Sequence, residues 1–167
     1  MESASLESYH SRRPERAITD LKEILEIIKT QRYMSLALCK DNIPYLVTVT
    51  YVFDFGDYCF YFHCANTGRK IDYIRANPVV YGEILEDDGY LDGECLHAFR
   101  TVQFTGEAEI IVDEEIKRRA LSMLIEKHES NPEMSKKRFM REGKIEKTAI
   151  IRIKVYEFTG KKIKRER

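Results

Sequence analysis

A mainly β fold, a small barrel with flanking helices, is the class this sequence predicts, and three observations predict it. Short runs rich in β-branched and aromatic residues recur along the chain, as in Val47 to Val52. Most are joined by short loops of Asp, Asn and Gly, which makes hairpins and a largely antiparallel sheet. Helical stripes appear only near the start, in the middle and late. Strands therefore do not alternate regularly with helices, which argues against a doubly wound sheet. At 167 residues the chain has the length of one domain, expected over 1–167.

The elements follow in order. Residues 1–17 are polar and charged and read as an N-terminal arm. Regular structure starts near Thr19 and Asp20, where Asp20 and Glu23 have capping-box spacing. Ile18, Leu21, Ile24, Leu25 and Ile28 form a helical stripe. Tyr33 to Cys39 alternates Met34, Leu36 and Leu38 with smaller residues, as a strand does. Asp41 and Asn42 turn the chain into a second strand, Pro44 to Phe53. A loop at Asp54 to Asp57 leads to a third, Tyr58 to His63. Arg69 to Asn77 reads as a short helix ended by Pro78, with Ile71 and Ile74 on one side. Val79 to Leu85 is a fourth strand, followed by a polar loop to about His97. Arg100 to Val112 is a fifth, with a bulge expected at Gly106. Asp113 caps a helix carrying Ile116, Ala120, Leu124 and His128, which Asn131 and Pro132 break. Residues 131–147 read as an irregular basic loop, and Thr148 to Phe158 as the sixth and last strand.

Composition narrows the function. The hydrophobic fraction of 43% supports a packed core rather than disorder. Lys plus Arg and Asp plus Glu each number 28, so no basic excess points to nucleic acid. No apolar run is long enough to span a membrane, and the start lacks the apolar stretch of a secretory signal. The expected location is the cytoplasm. The four cysteines, Cys39, Cys59, Cys64 and Cys95, lack zinc or disulfide spacing and are expected as free thiols.

Chemistry concentrates in Tyr61 to Lys70, reading YFHCANTGRK. A strand ends on His63, small polar residues follow through Asn66 and Thr67, and Gly68, Arg69 and Lys70 open a helix. Each part suits a phosphate. Backbone N–H groups and the helix start attract an anion, Gly68 admits close approach, and Arg69 and Lys70 add two cations. A solvated surface accounts for the same residues. No dinucleotide glycine fingerprint occurs. Cys95 and His97 could join His63 and Cys64 around a metal, but their spacing supports no such site, and none is expected.

The order of PYLVTVTYV, FYFH and GRKIDYIRANPVV resembles the FMN-binding core of pyridoxamine-phosphate-oxidase-like split-barrel proteins. HCANTGRK is most similar to the nitroimidazole-resistance (Nim-type) branch. The resemblance extends over RRPERAITD, RTVQFTGEAEI and TAIIRIKVYEFTGKK. It implies an FMN-binding split β-barrel working as a homodimer with FMN at the interface. Val47, Thr48, Val49, Thr50, Tyr51 and Val52 would lie along the flavin, His63 and Cys64 beside its ring, and Asn66 to Lys70 around its phosphate. Thr101 would reach the flavin of the other subunit, at a position where the parent oxidases tend to carry Gln. The oxidases also close with a segment containing Trp and Arg. This chain has no Trp and ends FTGKKIKRER, so pyridoxamine-phosphate oxidation is not expected. The Nim-type resemblance implies instead a flavin-dependent reductase of small, nitroaromatic molecules, with His63 as the proton donor. A non-enzymatic FMN-binding or redox-sensing module, and a haem-binding split barrel with an axial His, are the alternatives.

Overall fold

The computed structural model describes residues 13–164. Its strands are β1 (Tyr33–Lys40), β2 (Ile43–Thr50), β3 (Val52–Asp54), β4 (Cys59–Ala65), β5 (Val79–Leu91), β6 (Leu96–Ile111) and β7 (Thr148–Ile163). Its helices are α1 (Leu21–Thr30), α2 (Arg69–Ala76), α3 (Glu114–His128), α4 (Pro132–Phe139) and α5 (Glu142–Ile145), preceded by a short 3-10 turn at Pro14–Arg16. The strands form one seven-stranded sheet in the order β2-β1-β5-β6-β7-β4-β3, antiparallel throughout.

One residue forces that sheet to curl. β2 and β3 lie at opposite edges of the sheet, yet only Tyr51 separates them in the chain. Successive Cα atoms are ~3.8 Å apart, so the two edges must meet and the sheet closes into a barrel. The single strand expected over Pro44 to Phe53 is therefore two strands. Its midpoint is held by Tyr51, whose hydroxyl donates to the Ile28 carbonyl at 2.8 Å from a fully buried position. The expected alternation of β1 is observed, with Met34, Leu36 and Leu38 all buried. Inside the barrel they meet Phe60, Phe62, Phe104, Ile151 and Ile153. Phe60 stacks on Phe104 with ring centroids 4.6 Å apart, and aromatic pairs of this kind add about 0.5–1.5 kcal/mol beyond their buried area.

α1 packs Ile24, Ile27 and Ile28 into this core, while Leu21, expected on the stripe, is half exposed. Asp20 is the N-cap and accepts from the Lys22 N–H at 2.9 Å. The return bond of a capping box is not made, because Glu23 pairs with Lys162 and Arg100 instead. α3 covers the outside of the barrel, packing Ala120, Leu121, Leu124 and Ile125 onto Cys59, Tyr61, Ile111 and Ile150.

Several boundaries differ from the sequence reading. The polar loop expected from Glu86 to His97 is mostly strand: β5 runs on to Leu91 and β6 starts at Leu96, with a bulge between Asp87 and Gly89. Asp87, Asp88, Asp92 and Glu94 are exposed, a run of polar residues that periodicity cannot distinguish from a loop. The bulge expected at Gly106 is present, between Thr105 and Gly106. β7 extends beyond Phe158 to Ile163, paired along β6, and Ala17 bridges to Lys161. The rest of the expected arm, residues 1–12, lies outside the described residues. The basic stretch 131–147 is not an irregular loop but holds α4 and α5. α3 ends at His128, and Asn131, expected to break it, caps α4 by accepting from the Met134 N–H at 3.2 Å. Among the described residues no helix is long and apolar enough to cross a membrane.

Candidate functional site

Barrel closure is incomplete on one side. β2 pairs only with β1, so its other backbone edge has no ladder partner. β4 pairs with β7 along its whole length, but with β3 only over Cys59 to Tyr61. From Phe62 to Ala65 its second edge is therefore unpaired too, and it approaches β2. The barrel is split there, and the split is lined by backbone donors and acceptors that no strand uses.

The loop at the end of β4 leads into α2. Gly68 precedes the helix with φ +118°, a conformation that an L side chain rarely adopts, and a Cβ placed on it would meet nothing within 4 Å. No side chain caps the helix, which leaves its first N–H groups available to an anion. The two cations that follow straddle the split. Arg69 lies 4.5 Å over the ring of Tyr45 on β2, and the Lys70 ammonium lies 5.4 Å from the ring of Phe62 on β4. Neither has a carboxylate at salt-bridge distance among the described residues. Asn66 ties this loop to the start of β7 by donating from Nδ2 to the Glu146 carbonyl at 2.6 Å.

His63, near the end of β4, opens into a pocket of about 610 Å³. Thr50 of β2 shares that wall, Leu121, Leu124, Ile125 and His128 of α3 form the second, and Phe139, Lys144 and Lys147 the third. Desolvation in the pocket, and the charges of Lys70 and His128, hold the His63 imidazole below its ordinary value of 6.5. His128 lies 2.8 Å through Nε2 from the Tyr51 carbonyl, and a carbonyl can only accept, so Nε2 carries the hydrogen and Nδ1 is left as an acceptor. Its pKa is lowered as well, chiefly by desolvation.

The residues singled out in sequence fall into three groups. Thr50, His63, Asn66, Thr67, Gly68, Arg69 and Lys70 lie along the split, its loop or the pocket. Val47, Val49 and Tyr51 turn their side chains into the core, and Val52 packs under α3. On β2, Thr48 and Thr50 turn their side chains away from the barrel interior, while the free edge of β2 offers backbone N–H and C=O groups at alternate residues. Cys64 is half-buried against the core, and burial pushes its thiol up, so it stays neutral at neutral pH. Thr101 is buried, its hydroxyl 3.0 Å from Glu83 Oε1 and 3.1 Å from the Ile84 carbonyl. Cys95 and His97 sit at the far hairpin, where His97 pairs with Asp87 at 2.6 Å. Sequence reasoning missed the third wall. The spacing of Asn131, Pro132 and Met134, an N-cap followed by Pro at the first helical position, was the available signal.

A model of the family described as pyridoxamine 5'-phosphate oxidase matches residues 20–162. No curated protein matches the sequence. Solved structures with the same fold include a candidate 5-nitroimidazole antibiotic resistance protein from Bacteroides thetaiotaomicron, with 20% identity and TM-score 0.71 over 87% of this chain and 85% of that one. The flavocytochrome Anf3 from Azotobacter vinelandii aligns at 21% identity and TM-score 0.78, over 92% and 72%. An FAD-binding protein from Mesorhizobium loti aligns at 22% identity and TM-score 0.65, over 89% and 98%.

Proposed function

The chain belongs to the pyridoxamine 5'-phosphate oxidase family, and on that premise we propose that it binds FMN in the split between β2 and β4 and uses it to reduce small nitroaromatic molecules. The observation that carries this reading is the pair of cations Arg69 and Lys70, without a carboxylate partner among the described residues, placed on either side of the split at an uncapped helix start. A flavin has the matching parts: a phosphate for the cradle, and a ring edge that hydrogen-bonds to free backbone. Bound there, the flavin supplies hydride chemistry. The protein's own residues grip the phosphate, present strand edges and the Thr50 side chain, and set His63 at the pocket wall as a proton donor. One short cradle and no glycine fingerprint favour FMN over FAD.

The same reading makes the working unit a homodimer with FMN at the interface. The nitroimidazole-resistance likeness supports 5-nitroimidazole-like substrates. A haem reading has one observation in its favour, two imidazoles, His63 and His128, lining one largely apolar pocket. A visible spectrum and a mass for the ligand released from purified protein separate these readings. A flavin spectrum with the mass of FMN is expected; a Soret band, FAD, or no uptake at any FMN concentration overturns the proposal. Reduction by a nicotinamide cofactor followed by reoxidation by a nitro compound separates a reductase from a flavin-binding module.

A further inference from the structure

Lys144 and Lys147 line the same pocket as Thr50 and His63, and the flavin reading gives them no task. Both side chains are exposed, and neither has a carboxylate at salt-bridge distance among the described residues. Lys144 is poised by Phe139, with its ammonium 4.9 Å from the ring centroid. The Asn66 bond to the Glu146 carbonyl fixes the segment between the two lysines to the phosphate loop. The pocket thus has a cationic end on the side of β7 and an apolar wall of Leu121, Leu124, Ile125 and Phe139. Its one carboxylate, Glu129, is engaged by the Ser135 hydroxyl at 3.0 Å. A volume of 610 Å³ is in the range that small organic ligands occupy.

We propose that this pocket takes an aromatic carboxylate, with its ring on the apolar wall and its acid group on Lys144 and Lys147, so that the far end of the molecule points at His63. The inference rests on the flavin reading for the reaction, and names the substrate class it would serve. Two lysines select an anion because a carboxylate exchanges water for charge-assisted donors, which an uncharged isostere cannot do. The ring supplies apolar area and the ammonium groups supply orientation, which directs one end of the molecule toward the redox centre.

The test compares 4-nitrobenzoate with its neutral amide, 4-nitrobenzamide, by calorimetry on FMN-loaded protein and on protein without added flavin. Tighter binding of the acid, by about fivefold or more for charge-assisted contacts at a partly solvated site, is expected. The preference should shrink as salt is raised. It should vanish in Lys144→Ala/Lys147→Ala while the amide's affinity and the FMN affinity stay unchanged. Equal binding of acid and amide by the wild type, or an acid preference that survives the double substitution, overturns the proposal. A loss of FMN affinity in the variant also overturns it, because the lysines would then belong to the flavin phosphate. Acid preference in protein that takes up no flavin supports the pocket assignment and removes only the flavin reading.

Discussion

At His63 the surroundings oppose protonation. Desolvation, Lys70 and His128 all favour the neutral ring, so above its ordinary value of 6.5 the imidazole is an uncharged N–H donor and acceptor. Turnover that needs the imidazolium should therefore rise as the pH falls below 6.5 and be low at neutrality, and a pH–rate profile reads this directly. His63→Ala should keep FMN, since the phosphate cradle is separate, but lose about 10²–10⁴ in nitro-compound turnover. Wild-type turnover would make His63 structural, and loss of FMN would make it a binding residue. Replacing Arg69 and Lys70 together by Ala should weaken FMN by about tenfold or more, because charge-assisted contacts to phosphate are lost. A flavin titration with an unchanged dissociation constant would place the cradle elsewhere. The candidates for these roles were legible because residue types cluster within ten residues of chain; the walls supplied by Lys144, Lys147 and His128 were not, since only the fold brings them to His63.

Among the elements, β1 and α3 were legible because each has one dry face and so writes its period into the sequence, and β4, buried on both faces from Cys59 to Phe62, was legible as a short aromatic run. The break at Tyr51 was not. Val49, Tyr51 and Phe53 all point inward across the joint, so the pattern of a single strand continues across two edges of the sheet. Nor was the β5–β6 hairpin, whose far end has few core residues to impose alternation. The middle of β5 is constrained by packing. An alanine Cβ at Gly82 would lie 2.0 Å from Cζ of Phe104, a ring stacked on Phe60 in the core. Gly82→Ala should therefore cost about 1–3 kcal/mol, the usual range for overpacking. A denaturant midpoint equal to wild type would show that Phe104 moves aside freely.

For the whole molecule, acid stability and assembly follow from what the fold buries and what it leaves open. His63 and His128 both have depressed values, so below 6.5 the unfolded chain binds more protons than the native one. Their contribution to stability is full above that pH and is lost as the pH falls, so the melting temperature should drop on acidification, and His128→Gln should flatten the slope. For the proposed dimer, the outer face of β2-β1-β5 is the candidate surface. Tyr33, Ala37, Leu46, Tyr81 and Leu85 share the face opposite the core, with Leu46 69% and Leu85 52% exposed. Among them Tyr81 donates to Gln103 at 2.9 Å, beside the half-buried Glu83 and the buried Thr101. An exposed apolar sheet face around a satisfied polar centre suits a two-fold partner of the same surface. Sedimentation should show a dimer, and Leu46→Arg/Leu85→Arg should yield monomers, since unpaired cations resist burial. If FMN lies at the interface, that variant should lose flavin along with the partner although Arg69, Lys70 and His63 are untouched. A wild-type monomer that holds FMN, or a monomeric variant that binds FMN as tightly as the dimer, would show that one chain completes the site alone.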